Sequence, residues 1–276
     1  MKRLMRCRMV NVTGGGFVRL VDSMGSDARI VQAARVSYGD GTKTVRNDEH
    51  LIDYLIRHHH TSPLEQVVFT FHLKTPMFVA RQWMRHRMGR VNEVSARYSE
   101  LPSDYHKVEQ FRVQSNLNKQ ATIEPLNAAH AAEARAVRNV ATQSADRAYK
   151  HLLGLGVARE QAREVLPSSV FTEFYWQMDL NNLFKFLNLR LAWNAQVETR
   201  AYAEAVLELA RPVTPIAFAA FDEHVRGAVT LSKSERDVLR KFVQSRDAGA
   251  LERFAKADGL RASRVRELMQ KVINHD

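Results

Sequence analysis

The sequence predicts an α+β fold, with a central antiparallel or mixed sheet flanked by long helices. The segment VVFTFHLK at 67–74 alternates apolar and polar residues as a half-buried strand does, and VFTEFYWQM at 170–178 is predicted to be a second strand. An alanine-rich stretch at about 125–155 has instead the composition of one long helix. No internal repeat and no low-complexity linker interrupts the chain, so we expect one main domain.

The first third of the chain should contribute a strand and two helices. Residues 17–22 alternate in polarity, and Ser26 and Asp27 can cap a helix that runs to about Val36. A second helical pattern opens after Asp48 and ends at the histidines 58–60. These elements precede the first of the two clear strands.

The middle of the chain carries a helix and then an arginine-rich segment. Thr75 and Pro76 occupy the cap and first-turn positions of this helix. The helix places Gln82 and Arg85 three residues apart, and therefore on one face. The segment 85–98 is expected to follow as a loop and a short strand.

The second half is expected to be largely helical, apart from the strand at 170–178. A short helix contains Arg163, and Asp179 can cap a helix that carries Lys185 and Arg190. Further helical stretches are predicted at 194–211, at 215–225 and after Ser232, where a capping-box pattern begins.

Composition places the chain among soluble globular proteins. It has 276 residues, of which 45% are hydrophobic and 26% are charged. The basic N-terminus lacks a sustained apolar region, and no run of about 18 uncharged apolar residues occurs. We therefore expect a cytoplasmic protein without membrane contact.

The formal net charge of +11 allows two interpretations. A basic protein can bind nucleic acid, or it can gather small phosphorylated molecules. The segment 226–276 holds twelve Lys and Arg against seven Asp and Glu, spread along helical sequence without interleaved aromatic residues for base stacking. A solvated surface is the favoured interpretation, and no specific nucleic acid is expected.

Three features that could indicate a site have ordinary explanations. The glycines 14–16 precede a strand and lack phosphate-loop spacing, so they predict a turn. The histidines 58–60 have no Cys or carboxylate at ligand spacing, so no metal site is expected, and His58 and His59 are assigned to a helix C-terminus. The single cysteine, Cys7, is interpreted as an incidental thiol at a frayed chain end.

The most informative segment is RHRMGRVNEVSARY at 85–98. It holds four arginines, a histidine, a glutamate and a serine directly after an apolar helical stretch. Planar guanidinium groups donate paired hydrogen bonds to phosphate, so the segment predicts a polyanionic ligand. A solvated helix end is the plainer alternative, but Asn92, Glu93 and Ser95 break the helical pattern and add polar groups that such a surface does not need.

The same segment resembles the signature of the flavin-dependent thymidylate synthases, the ThyX family: RHR, seven residues, then Ser95, with NE before the serine and R-Y after it. Other segments similar to the family are FVRLVDSMGSD at 17–27, QAARVSYGDGTKTVR at 32–46, HLIDYLIRHHHTSPLEQ at 50–66, FTFHLKTPMFVARQWMRHR at 69–87, AREVLP at 162–167 and FLNLR at 186–190. The resemblance implies a ThyX-like catalytic domain at 1–225, followed by a basic helical appendage at 226–276.

The resemblance also implies an activity and its cofactors. The family converts dUMP to dTMP, with FAD taking a hydride from NADPH and 5,10-methylenetetrahydrofolate supplying the one-carbon unit. Its sites are shared between the subunits of a homotetramer. The flavin site is not of the Rossmann type, which agrees with the absence of a dinucleotide fingerprint here. No cysteine nucleophile is expected, unlike in the classical thymidylate synthases.

Binding residues follow by resemblance, position by position. Expected flavin ligands are Ser37, His60, Ser62, Glu65, Arg85, His86, Arg87, Glu93, Asp179, Asn181 and Lys185. The expected dUMP site comprises Gln82, Arg85, Glu93, Ser95, Arg97, Arg163 and Arg190. Arg190 resembles the catalytic arginine at the uracil edge, where a fixed positive charge stabilises the negative charge that develops on the ring.

Four positions depart from the usual family pattern: Arg90, Asn181, Lys185 and Asn194. These departures, and separately the basic C-terminal segment, leave two further interpretations open. The chain could be a divergent paralogue, such as a uridylate hydroxymethylase or a weakly active homologue. It could also be a basic nucleic-acid-binding protein, in which case salt-sensitive DNA binding without flavin is expected.

Overall fold

The computed structural model describes residues 8–36, 48–116, 119, 122–244, 248–257, 259, 260, 262, 264–266 and 268. The chain divides into two compact units, Met1–Arg226 and Gly227–Asp276. Cys7 and the predicted flavin ligand Ser37 lie outside the described residues.

Seven strands form two antiparallel sheets in the described part of the first unit. They are β1 (Arg8–Val12), β2 (Gly16–Met24), β3 (Val68–Pro76), β4 (Arg90–Glu93), β5 (Arg112–Gln114), β6 (Thr122–Pro125) and β7 (Phe171–Asp179). The central sheet has the order β1-β2-β3-β7-β4, and β5 pairs with β6 separately. Every neighbouring pair runs antiparallel. The predicted α+β class and central sheet are confirmed.

The clearest sequence alternations form the middle of the sheet. Because strand side chains point alternately to the two faces, Phe69, Phe71 and Leu73 of β3 all lie on the buried face. Phe174 and Trp176 of β7 join them from the neighbouring strand. The core therefore lies on one side of the sheet, under the helices.

Strand β1 is an element that the sequence analysis did not predict. It pairs with β2, and Val12 lies opposite Gly16. Gly14 and Gly15 close the hairpin with φ of 85° and 112°, in the left-handed region that favours glycine, so the predicted turn is confirmed. A five-residue edge strand that is largely exposed shows too little alternation to be predicted.

Eight α-helices lie between and after these strands in the described part of the first unit. They are α1 (Asp27–Arg35), α2 (Asp48–Arg57), α3 (Met77–Trp83), α4 (Ala128–Gly154), α5 (Arg159–Ala162), α6 (Leu180–Arg190), α7 (Val197–Ala210) and α8 (Pro215–Phe221). Short 3-10 turns cover Leu64–Gln66 and Arg163–Val165, and a π-helical turn covers Asp222–Arg226. The predicted helix at 215–225 thus changes its hydrogen-bonding pattern after Phe221.

The start of α3 differs from the prediction. Strand β3 runs through Pro76, and the helix begins at Met77, so Thr75 is a buried strand residue and not a cap. The helix also ends at Trp83, which leaves Arg85 in the following turn. Arg85 is therefore not on the helical face that carries Gln82.

The side chain of Asp27, which the sequence analysis paired with Ser26 as a cap of α1, is bound to the start of α8. Ser26 occupies the N-cap position but makes no side-chain cap hydrogen bond. Asp27 instead accepts hydrogen bonds from the backbone N–H groups of Ile216 and Ala217, each at 3.0 Å. Burial raises the pKa of the Asp27 carboxyl group, and these two hydrogen bonds oppose that rise. The contact joins the N-termini of α1 and α8.

Helix α4 is unusual because it buries almost nothing within its own chain. Of its 27 residues, Tyr149 alone is buried. Val137 and Val140 are 64% and 63% exposed, respectively. A soluble helix normally buries one apolar stripe, so this helix presents a surface that the described chain does not cover.

The second unit contains α9 (Lys233–Gln244) and α10 (Ala248–Ala257) among its described residues. Helix α9 begins directly after Ser232, as the sequence predicted. Nowhere in the described residues is a helix both long enough and apolar enough to cross a bilayer.

Candidate functional site

An aromatic cluster fixes the base of the arginine-rich segment. Trp83 at the end of α3 contacts Trp176 of β7 and Phe186 of α6, with ring centroids 5.2 and 4.4 Å away. All three side chains are fully buried. Because Trp83 lies two residues before Arg85, the turn that contains the RHR motif starts from a rigid point of the core.

The RHR turn approaches the sheet closely at Gly89. The N–H of His86 donates to the carbonyl of Trp83 at 3.0 Å, and the N–H of Gly89 donates to the carbonyl of His86 at 3.2 Å. A Cβ atom on Gly89 would lie 2.2 Å from Nε1 of Trp176. Only glycine fits there without movement of the turn or the indole.

Arg190 joins the end of α6 to this turn. Its Nε donates to Nε2 of His86 at 3.0 Å, and one terminal nitrogen donates to the backbone carbonyl of Gln82 at 2.8 Å. Burial lowers the pKa of Arg190. Burial, together with the charge of Arg190, lowers the pKa of His86 to about 4. His86 is therefore a neutral imidazole near pH 7.

The tautomer of His86 follows from this contact. Guanidinium nitrogens can only donate, so Nε2 of His86 must be the acceptor. The proton of the neutral ring is then on Nδ1, which is a donor. The ring is also held edge-on by Phe186, with centroids 4.8 Å apart.

Glu93 and Arg85 line a cavity beside α3. Its volume is about 310 Å³, and its walls are Met77, Ala80, Arg81, Met84, Arg85 and Glu93. Thr172 on β7 donates a hydrogen bond to Oε1 of Glu93 at 2.6 Å. The cavity thus brings a cation and an oriented carboxylate together, and both residues were assigned to the dUMP site by resemblance.

The remaining predicted dUMP residues lie near the start of α5. The Nε of Arg97 donates to Glu160 at 2.8 Å, and both side chains are exposed. Arg163 is exposed three residues further along, at the start of its 3-10 turn. Ser95 Oγ accepts from the N–H of Arg97 at 3.3 Å. Arg97 and Arg163 are thus both on the surface around α5.

The end of α2 shapes a second, larger cavity. The N–H of His60 donates to the carbonyl of Leu55, and His59 has a left-handed φ of 57°. This is a Schellman-type helix end, which confirms His59 as a helix C-terminal residue. The turn directs His60 and Ser62 to a cavity of about 940 Å³ between α1, α2 and the 3-10 turn at Leu64–Gln66.

Other predicted flavin residues lie at the start of α6. Asp179 caps the helix by accepting from the N–H of Asn182 at 2.9 Å, as predicted. Asn181 donates to Glu65 Oε1 at 3.3 Å, so two predicted residues that are far apart in sequence are in contact. Lys185 is exposed on the same helix.

Polar residues around Gln82 were absent from the sequence predictions. The Nε2 of Gln82 donates to Oε1 of Gln196, and its Oε1 accepts from Thr199 at 3.3 Å. Glu198 and Arg112 extend this network. A polar pair at the start of a helix ordinarily indicates capping, so the sequence carried no signal that these residues reach Gln82.

Comparison with known proteins identifies the family of the chain. The family model described as thymidylate synthase complementing protein, Thy1, matches residues 19–216. A flavin-dependent thymidylate synthase from Thermus thermophilus is 52% identical over 263 residues, covering 95% of each chain. The enzyme of the same name from Treponema denticola is 49% identical over 252 residues, covering 87% of this chain and 92% of the relative.

A solved structure shows the same architecture. It is the UMP/dUMP methylase PolB from Streptomyces cacaoi bound with 5-Br dUMP, which superposes with a TM-score of 0.72 at 30% identity. The match covers 79% of this chain and 99% of that chain. On this evidence, the chain belongs to the family of flavin-dependent thymidylate synthases.

Proposed function

We propose that this chain converts dUMP to dTMP as an FAD enzyme. The one-carbon unit comes from 5,10-methylenetetrahydrofolate and the reducing equivalents come from NADPH. The relatives named above support the enzyme class, and the bromo-dUMP complex of PolB supports the nucleotide. The observation that carries the proposal is the contact between Arg190 and His86, because it places a half-buried cation beside the RHR motif.

The described residues fit a flavin dinucleotide. A cavity of about 940 Å³ with His60 and Ser62 in its wall lies within the size range of cofactor sites. Arg85 and Arg87 are exposed, and no ion pair involves either of them within the described residues, which suits them to the pyrophosphate. When bound, the flavin supplies the hydride transfer that side chains cannot perform.

In this proposal His86 presents a donor to the flavin. Its Nε2 is occupied by Arg190, so the Nδ1–H remains available. Glu65, Asn181 and Asp179 form the polar group at the start of α6, and we assign it to the same cofactor. Lys185 would add a cation that stabilises a reduced, anionic flavin.

For dUMP we assign the phosphate to arginines and the base to Arg190. Arg85 lines the smaller cavity together with Glu93, whose carboxylate is oriented by Thr172. Arg97 and Arg163 offer further guanidinium donors around α5. Ser95 lies two residues before Arg97 and completes the set.

Arg190 is suited to activate the uracil ring. Two of its five N–H donors are used by His86 and by the carbonyl of Gln82, which fix the plane of the guanidinium. The remaining donors can face the developing negative charge at N3. A positioned charge in a partly buried site stabilises such a transition state without reorganisation, which is electrostatic catalysis.

We also propose that the enzyme is a homotetramer with shared sites. The exposed length of α4 supports an interface, because an uncovered 27-residue helix is uncommon in a monomer. The folate would bind beside the flavin in the assembled site. An enzyme of nucleotide synthesis is expected in the cytoplasm.

The two other interpretations carry less support. A divergent paralogue is not favoured, because relatives at about half identity over most of the chain bear the same enzyme name. Of the four departures from the family pattern, Asn181 donates a hydrogen bond to Glu65, whereas Arg90 and Lys185 are exposed. Nucleic-acid binding has no further observation in its favour.

The direct test is the mass of the product. Purified protein would be incubated with FAD, dUMP, NADPH and methylenetetrahydrofolate carrying deuterium in its methylene group. The proposal expects dTMP with both deuterium atoms in its methyl group. A hydroxymethylated nucleotide, or unchanged dUMP with flavin-loaded protein, would contradict it.

A further inference from the structure

A chain of four polar side chains leads from the hairpin β5–β6 to Gln82. Arg112 on β5 donates to Oε1 of Glu198 at 2.5 Å. The other carboxylate oxygen, Oε2, accepts from Nε2 of Gln196 at 3.0 Å. Gln196 Oε1 in turn accepts from Nε2 of Gln82. Arg112 and Glu198 are largely buried, with 19% and 17% of their side-chain surfaces exposed.

The carboxylate at one end decides how both amides point. An ionised carboxylate can only accept, so Gln196 must turn its NH₂ group towards Glu198. The carbonyl of Gln196 then faces Gln82, which must donate its own NH₂. The Oε1 of Gln82 is left facing the hydroxyl of Thr199, at 3.3 Å. One charge thus selects one of two amide orientations at a residue two hydrogen bonds away.

We call the hydrogen-bonded chain from Glu198 through Gln196 to Gln82 the relay. Glu198 is held in the ionised form that the relay needs. Burial alone would raise its pKa, but hydrogen bonds from Arg112, from its own backbone N–H and from Gln196 lower it overall. The carboxylate is therefore charged throughout the neutral range, and the amide orientation is fixed.

We propose that Glu198 is a positioning residue for the nucleotide site, acting through Gln196 to hold the Gln82 amide in one orientation. The proposal rests on the assignment of Gln82 to dUMP. Glu198 does not touch the nucleotide. Its effect is pre-organisation: a Gln82 amide free to rotate would present the wrong polarity to dUMP part of the time.

The test is the isosteric substitution Glu198→Gln. Arg112 would donate to the oxygen of the new amide, so the new NH₂ group would face Gln196. The amides of Gln196 and Gln82 would then both turn to the opposite orientation. We expect the KM for dUMP to rise about tenfold, the loss of one oriented hydrogen bond. Reduction of bound flavin by NADPH should not change. Arg112→Lys, which leaves the carboxylate in place, should retain a KM close to that of the wild type.

A second substitution separates positioning from general damage. In a Gln82→Ala background, Glu198→Gln should raise the KM for dUMP no further, because the relay no longer has an end point. Asp222→Asn, which weakens the more exposed ion pairs of Asp222 with Arg211 and Arg226, is the control and should leave the KM unchanged.

The possible failures are distinguishable. An unchanged KM in Glu198→Gln, with dUMP still methylated by the wild type, overturns the relay alone. Additive losses in the double variant also overturn it, because they show that Glu198 acts independently of Gln82. Wild-type protein that neither binds nor methylates dUMP overturns the proposed function and the relay together.

Discussion

The Nε of Arg190 donates a hydrogen bond to Nε2 of His86 across 3.0 Å, although 104 residues separate them in sequence. The contact ties the last residue of α6 to the centre of the RHR motif. The contact also fixes the orientation of the guanidinium plane and the tautomer of the imidazole, which is neutral with its proton on Nδ1.

The neutral state of His86 predicts a pH dependence of stability. Its pKa is about 4 in the folded protein, against 6.5 for the ordinary group. Between these values the unfolded chain binds more protons, so the free energy of unfolding falls as the pH falls from about 6.5 to 4. Urea unfolding across this range should show a smaller loss in His86→Gln, which accepts from Arg190 but does not titrate. Equal losses in both proteins would refute the assignment.

Gly89 should be essential for the geometry of the RHR turn. In Gly89→Ala the new Cβ meets Trp176 Nε1, so the turn or the indole must move, at a cost of about 1–3 kcal/mol in unfolding free energy. Flavin affinity should fall with it, as measured by fluorescence titration. Gly154→Ala is the matched control, because nothing lies within 4 Å of its added Cβ. Similar behaviour of the two variants would contradict the close approach at Gly89.

The hydroxyl of Tyr202 should not stabilise the protein. It is buried and has no hydrogen-bond partner within the described residues. Tyr202→Phe removes this unsatisfied group, so thermal or urea unfolding should show a gain of about 1 kcal/mol. Gly16→Ala should do the opposite, because its Cβ would overlap the same hydroxyl. A marked loss of stability in Tyr202→Phe would indicate a partner for the hydroxyl.

The uncovered face of α4 predicts a change in assembly. Val137 and Val140 lie three residues apart on one face, so replacing both with Glu should place charge in the proposed interface. Light scattering after size exclusion should show species smaller than a tetramer. Asn139→Glu, on a different face of the helix, is the control. An unchanged mass in the double variant would place the interface elsewhere.

The fold could be predicted where one sequence segment determines its own structure. Alternation identified β2 and β3, and the sequence also predicted β7. Asp179 could be predicted as a cap because capping is local: the N–H that it binds belongs to Asn182, three residues away. Strand β1 escaped prediction because its pairing with β2 determines it more than its own pattern does.

The site could be predicted only in part, for a related reason. The RHR motif is evident from its charge, and the family resemblance supplied Arg190. The network of Gln82, Gln196 and Glu198 could not be foreseen, because its first contact joins residues 114 positions apart and none of them stands out in composition. Such contacts depend on how α3 and α7 pack on the sheet, which no local pattern specifies.

Arg190→Lys is the most direct measurement of whether Arg190 activates dUMP. The variant keeps the charge but loses the planar fork that reaches both His86 and the carbonyl of Gln82. Turnover to dTMP and reduction of flavin by NADPH would be followed in the same preparation. We predict that flavin reduction persists while methylation becomes slower. The activation free energy of methylation should rise by about 1.5–3 kcal/mol, the range for hydrogen bonds to charged groups. Wild-type methylation, or an equal collapse of both half-reactions, would contradict the role of Arg190.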